Sequence, residues 1–146
     1  MIERVLLAVD DSPDSLAATK IAVEVVAALG ARLRAVHVSA DHLLDAALEA
    51  ASGQPAAGTR RARSAVAVLE RASALADTAG IAAETDLLAG DVGPAILDAA
   101  RDWAADLIVV GKSARSASGE PYVGSQTRHV LEFADQPVLV VTPRRH

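Results

Sequence analysis

Five runs of aliphatic, largely β-branched residues recur along the chain: Val5–Val9, Leu33–Val38, Ile81–Leu88, Leu107–Val110 and Val138–Val141. Between them lie segments whose apolar residues return at helical spacing. No other feature narrows the fold as far. A half-exposed strand alternates apolar and polar residues, whereas a near-continuous apolar run belongs to a strand covered on both faces. Runs of that kind alternating with amphipathic helices specify a parallel sheet with helices packed against it. Right-handed crossovers then distribute the helices over both faces, and the expected fold is a doubly wound α/β domain.

The helix boundaries are written in local chemistry. Ser12-Pro13 supplies an N-cap followed by proline at the first helical position, and Gly30 closes that helix. A second helix is expected from about Arg60 to Ala79, with Val66, Leu69, Ala72, Leu75 and Ala76 on one stripe and Gly80 behind it. A third covers Ala95 to Ala104 and turns Ile96, Leu97 and Ala100 inward. The last begins near Ser125 and is expected to bring Val130, Leu131, Phe133 and Ala134 to the sheet. Two stretches interrupt the rhythm. Residues Ser39 to Thr59 hold a short helix-like piece, Leu43 to Ala50, and a turn-rich Ser52-Gly53-Gln54-Pro55. Lys112 to Val123 is a Ser/Gly/Ala-rich loop directly after the fourth run, and a loop of that length without its own period points to function.

Composition removes whole classes of function. The 146 residues fit one domain with a core large enough to need no staple. One Trp, one Tyr and one Phe leave Val, Leu, Ile and Ala to fill that core. The absence of Cys excludes disulfide scaffolds, Cys-ligated zinc and thiol nucleophiles. No apolar run reaches the roughly 20 residues of a membrane span, and the opening Met1-Ile2-Glu3-Arg4-Val5 is unlike a secretory signal. A cytoplasmic location is the expectation. Fourteen basic against nineteen acidic residues give a net charge of −5, which with so few aromatics argues against nucleic-acid binding.

In an open α/β sheet, ligands bind beyond the carboxyl ends of the strands. The candidates there are Asp10 and Asp11, His37 and Val38, Asp86 and the loop at Gly111. That loop ranks first, because it re-enters a helix at Gly124-Ser125. Backbone N–H groups at a helix start carry partial positive charge, and a serine hydroxyl there can bond a phosphate. Lys112, Arg115 and Arg128 add a local basic excess over Glu120. The plainer alternative is a surface loop ending in a serine cap.

Other motifs fail on inspection. Gly111-Lys112-Ser113 imitates the tail of a P-loop, but Asp106 stands where that motif needs its first glycine. Neither a G-x-G-x-x-G after the first strand nor a G-x-S-x-G elbow is present. A phosphoacceptor reading of Asp10-Asp11 would need a lysine after the fifth strand, which instead ends Val140-Val141-Thr142-Pro143. Instead Asp11 or Ser12 caps the first helix while Asp10 faces the crevice. His42, Asp45 and Glu49 read as a solvated face rather than a metal site. His37 and His129 read as structural, Trp103 and Phe133 as core fillers, and Tyr122 as a residue shaping the loop.

The layout resembles a universal stress protein domain over essentially the whole chain. The resemblance is carried by Val5-Leu6-Leu7-Ala8-Val9-Asp10-Asp11-Ser12, Val36-His37-Val38, Gly90 with Ile96 and Ala99-Ala100, and the stretch from Leu107 to Val141. It implies a five-stranded parallel sheet of order 3-2-1-4-5, of the adenine-nucleotide alpha hydrolase-like kind. The nucleotide-binding branch of that family carries G-x2-G-x9-G-[S/T]. Gly111 and Gly124-Ser125 match at the right separation, while Ala114 stands at the middle glycine, and Arg115-Ser116 with Gly119 is similar to a variant loop of the family. By the resemblance, Asp10 and Val38 would lie at the adenine and ribose, with Gly111, Gly124 and Ser125 around the phosphates. Ala8, Lys112, Ala114, Arg115 and Gln126 complete the set expected to bind the cofactor. It implies ATP or a related adenine nucleotide, with Mg, in a sensor or regulator of stress survival. Turnover is at most slow, since no base is placed to activate water. A homodimer through the last strand and protein partners are also implied. The alternative is a nucleotide-independent dimeric module acting through its partners.

Overall fold

The computed structural model describes residues 1–39, 56–115 and 121–143, and side chains within them except at 56–62, 113–115 and 121–122. The expected helix over Leu43 to Ala50, the turn at Ser52 to Pro55, and the positions of His42, Asp45, Glu49, Ser116, Gly119 and Glu120 lie outside the described residues. The elements run β1 (Arg4–Ala8), α1 (Pro13–Leu29), β2 (Arg32–Ser39), α2 (Ala56–Thr78), β3 (Glu84–Ala89) and α3 (Val92–Asp102). They continue with β4 (Leu107–Gly111), β5 (Ser113–Arg115), β6 (Pro121–Val123), α4 (Ser125–Phe133) and β7 (Val138–Val141). Five strands form one parallel sheet of order β3-β2-β1-β4-β7, which is the expected 3-2-1-4-5 arrangement.

β1 shows why both faces must be covered. Its alternate residues Val5 and Leu7, with Val9 just beyond its end, enter one core with α1 and α2, through Ala18, Ala22, Val26, Leu69, Ala72 and Ala76. Leu6 enters the other, with Ile96 and Ala100 of α3, Val130 of α4, and Ile108 and Val110 of β4. Period-two side chains with no polar phase leave no face for water. The chain moves outward from β1 through α1 to β2 and β3, then returns to β4 on the other side of β1. The topological switch therefore lies between β1 and β4.

The boundaries refine the sequence reading. Ser12 caps α1, its hydroxyl accepting the Ser15 N–H at 3.1 Å, and Gly30 ends the helix in the left-handed region. α1 and α2 close alike: Ala31 N–H returns to the Val26 carbonyl and Ile81 N–H to the Ala76 carbonyl. That bond holds Ile81 on the helix end, so β3 starts at Glu84 rather than at Ile81. α3 starts at Val92 rather than Ala95, because Pro94 fits within the first turn, where its missing N–H costs nothing. On α2 the buried stripe is Ala65, Val68, Leu69, Ala72 and Ala76; Val66 faces outward at 46% exposure. On α4, Thr127 and Val130 are buried, whereas Leu131 and Phe133 point away from the sheet at 44% and 60% exposure. Trp103 is a half-buried margin of the core rather than a filler. The Arg34 guanidinium lies 4.7 Å from its ring centroid while bonding Glu84, which Arg32 also engages. These two guanidiniums hold the Glu84 carboxyl below its ordinary range.

α3 ends in the same way as α1 and α2, with Ala105 N–H on the Ala100 carbonyl, but the left-handed residue is Ala104 at φ 56°. A Cβ in that region costs about 1 kcal/mol or more relative to glycine. Ala104→Gly is expected to stabilise the fold by about 0.5–1 kcal/mol, read as a raised midpoint in chemical denaturation. Asp106 follows, and its carboxylate accepts the Glu3 and Arg4 N–H groups at 2.9 and 3.0 Å, tying the start of β4 to that of β1. Those two bonds lower its pKa. Among the described residues, no helix is long and apolar enough to cross a membrane.

Candidate nucleotide-binding site

A cavity of about 190 Å3 opens at the switch point, bounded by the ends of β1, β2 and β4 and the first turns of α3 and α4. Its apolar wall is made by Ala8, Val36, Val38, Val92, Ile96, Val110 and Val130, so it is continuous with the core on the α3–α4 face. Asp10, His37, Gln126 and Thr127 bring polar atoms to it. A concave apolar space with a few convergent polar groups is the ordinary form of a small-molecule site.

Each polar group is placed by local chemistry. Asp10 begins the turn into α1: its Oδ1 accepts the Ser12 N–H at 2.8 Å, and its own N–H donates to Ser15 Oγ at 2.8 Å. The carboxylate is thereby held at the exposed rim of the crevice. Asp11 does not cap the helix; Ser12 does. His37 Nδ1 stands 2.7 Å from the Val9 carbonyl, which can only accept, so Nδ1–H donates to it and Nε2 is the ring's other nitrogen. This contact is the structural role expected of His37, and it also makes the ring part of the cavity wall.

Gly111 closes β4 against α1. A Cβ built there would stand 2.8 Å from the Asp14 carbonyl carbon and 2.9 Å from Asp14 Cβ. Only glycine lets the strand end pass so close to the helix start. The buried Thr127 hydroxyl then donates to the Gly111 carbonyl at 2.9 Å, fixing the first turn of α4 against the strand end. Thr127 was missed by sequence reasoning; a hydroxyl three residues into a helix that starts at a glycine is the signal that could have found it.

The loop after β4 has order of its own. Lys112 N–H continues the pairing with β7 at Val141 O, and Gly124 N–H returns to Lys112 O at 2.9 Å. From there β5 and β6 pair antiparallel, Ser113 with Val123, Ala114 with Tyr122, Arg115 with Pro121. Hydrogen-bonded pairs alternate along such a ribbon, so Ala114 and Tyr122 follow the Lys112–Gly124 pair, and Pro121 falls where no N–H is needed. Within the stretch expected to be a loop, residues 113–115 and 121–123 therefore form a short ribbon. Its pairing engages the backbone of Ala114, and it delivers Gly124 to the N-cap of α4 with extended φ −68°, ψ 161°. Among the candidate residues, Ala8, Asp10, Val38, Gly111 and Gln126 share one cavity. Lys112, Gly124 and Ser125 adjoin it in chain, and Ala114 and Arg115 lie on the ribbon. No group of three or more His, Cys, Asp or Glu residues suited to a metal is found among the described residues.

Comparison with known proteins agrees with this fold. The model of the universal stress protein family matches residues 1–142. A universal stress protein of Thermus aquaticus is 37% identical over 144 residues, covering 97% of this chain and 99% of that protein. Among solved structures, universal stress protein UspA from Lactobacillus plantarum superposes with a TM-score of 0.75 at 27% identity, over 97% of this chain and 98% of that one. The universal stress protein from Archaeoglobus fulgidus in complex with dAMP gives 0.72 at 22% identity, over 97% and 98%. The chain belongs to the universal stress protein family.

Proposed function

We propose that this protein binds an adenine nucleotide in the crevice between the ends of β1 and β4 and acts as a nucleotide-responsive regulator in stress survival. The observation that carries the reading is the meeting of an apolar strand-end cavity with the first turn of α4 at the switch point. Pockets that enclose a whole ligand run to roughly 300–1,000 Å3. The smaller cavity here suits the base, leaving sugar and phosphate at its mouth. In that placement Ala8, Val38 and Asp10 border the base and ribose. The α4 amides after Gly124, with the Ser125 hydroxyl, lie at the phosphate end, where the helix dipole favours an anion despite the net negative charge. Lys112, directly after β4, adds a positive charge to this segment, and Arg115 follows three residues on in the chain. The structure of the Archaeoglobus fulgidus relative in complex with dAMP supports an adenine nucleotide as the ligand class. A bound nucleotide would bring its own phosphate charge, and with it any Mg.

The test is direct. Protein purified without added ligand is heat-denatured and the supernatant analysed for nucleotide, and ligand-free protein is titrated calorimetrically with AMP, ADP and ATP. Bound or titratable adenine nucleotide is expected; finding neither sinks the reading.

A second reading, an interaction module that needs no nucleotide, is favoured by the ribbon that engages Ala114 at the family's middle glycine. It predicts the empty result above. Under either reading we propose a homodimer through β7. That strand lies at the sheet edge, and Leu139 on it is 36% exposed. Sedimentation showing only monomer would reject the dimer.

A further inference from the structure

We propose that Gln126 is a specificity-determining residue that aims an amide N–H2 at a phosphoryl oxygen of the bound nucleotide. The inference rests on the nucleotide reading above and goes beyond it by assigning one side chain a direction and a ligand atom.

The argument begins on the neighbouring helix. Asp91 occupies the N-cap position of α3, yet its side chain makes no capping hydrogen bond. The Gly93 N–H, two residues into the helix, is bonded instead by Gln126 Oε1 at 2.8 Å, reaching across from the second position of α4. Gln126 thus caps α3 from another helix. Gly93 makes room for it: a Cβ there would meet Gln126 Oε1 at 3.0 Å and His129 Cδ2 at 2.8 Å.

A carboxamide has one accepting oxygen and one nitrogen with two donor hydrogens. Only the oxygen can face a backbone N–H, so the bond to Gly93 fixes which way the amide is turned. Nε2 is then the remaining end, on a side chain that lines the cavity mouth beside the first-turn amides of α4. Those groups are all donors, and together they suit an anion with several acceptor oxygens. A phosphoryl group is such a ligand.

The choice of Gln over Glu carries the same message. A glutamate could accept the Gly93 N–H equally well. Its charge would favour the N-termini of both helices, so it would serve the fold at least as well. What it could not do is donate to, or tolerate, a neighbouring phosphate. The neutral amide keeps the cap and admits the anion.

The experiment compares the full chain with Gln126→Glu and Gln126→Met, reading thermal midpoint and calorimetric affinity for AMP and for adenosine. Gln126→Glu is expected to melt at or above the wild-type midpoint. It should bind AMP about tenfold or more weakly, as expected for a lost hydrogen bond to a charged group, while adenosine affinity stays within about threefold. Gln126→Met should melt lower, having lost the cap, and should also weaken AMP more than adenosine. The inference is overturned if Gln126→Glu binds AMP as tightly as wild type, or if AMP and adenosine weaken together. If wild type binds neither ligand nor ATP, the nucleotide reading itself fails, a result distinct from both.

Discussion

Gly111→Ala is expected to destabilise the protein by about 3 kcal/mol, because the added methyl overpacks a contact that cannot relax. At this chain length that corresponds to a melting midpoint lowered by roughly 6 to 12 °C. The atoms in its way are the carbonyl carbon of Asp14 at 2.8 Å and its Cβ at 2.9 Å, in the first turn of α1, where Asp14 is 3% exposed. Relief requires α1 to move off the sheet or β4 to bend. Either would disturb the Thr127–Gly111 bond that seats α4, so nucleotide affinity should fall with stability. For the loss of stability alone, Gly93→Ala is the control. Its Cβ also falls within 3.0 Å of neighbours, but these are side-chain atoms of His129 and Gln126, which can turn. The gain in helix propensity, about 1 kcal/mol, offsets much of that contact. A Gly111→Ala protein melting within about 2 °C of wild type would show that α1 and β4 are not locked together as described.

The sheet was legible because its signal is continuous: Val5–Val9 and Leu107–Val110 carry no polar phase, and such runs fit only a doubly covered strand. α1 was legible at both ends, since Ser12-Pro13 and Gly30 are caps with a local mechanism. What escaped depends on partners distant in sequence or on segments too short to have a period. α4 spans nine residues with apolar side chains on more than one side. Its own pattern could not say that Val130 faces the sheet while Leu131 and Phe133 face away. Three-residue strands such as β5 and β6 give no alternation to count. Ala104 in the left-handed region has no sequence mark where glycine would have announced it.

The candidate site divides along the same line. Asp10, Gly111 and Gly124-Ser125 were legible as candidates because strand ends and helix starts are where ligands of this fold class sit. The contributions of His37, Thr127 and Gly93 became visible only when Val9, Gly111 and Gln126 were brought against them by the sheet and its crossovers. The cap that Gln126 places on α3 is the clearest case, since it joins residues 33 apart.

The two cores offer a second large effect, one that separates stability from binding. Ile108→Ala and Leu7→Ala each remove a side chain with no exposed surface, on adjacent strands of the same sheet. Each is expected to cost about 2–5 kcal/mol, from lost transfer energy plus the cavity left behind. Their consequences for the site should differ. Ile108 lies in the core that holds α3 and α4, whose Ile96, Val110 and Val130 also form the cavity wall. Leu7 lies on the opposite face, with α1 and α2. Collapse of α3 or α4 into the space left by Ile108 would reshape the cavity and shift the Gln126–Gly93 contact. Calorimetry on both variants, well below their melting midpoints, should therefore show adenine-nucleotide affinity falling several-fold more for Ile108→Ala than for Leu7→Ala. Equal losses in binding would mean that the cavity is not built on the α3–α4 core alone, and that α1 helps to hold the ligand.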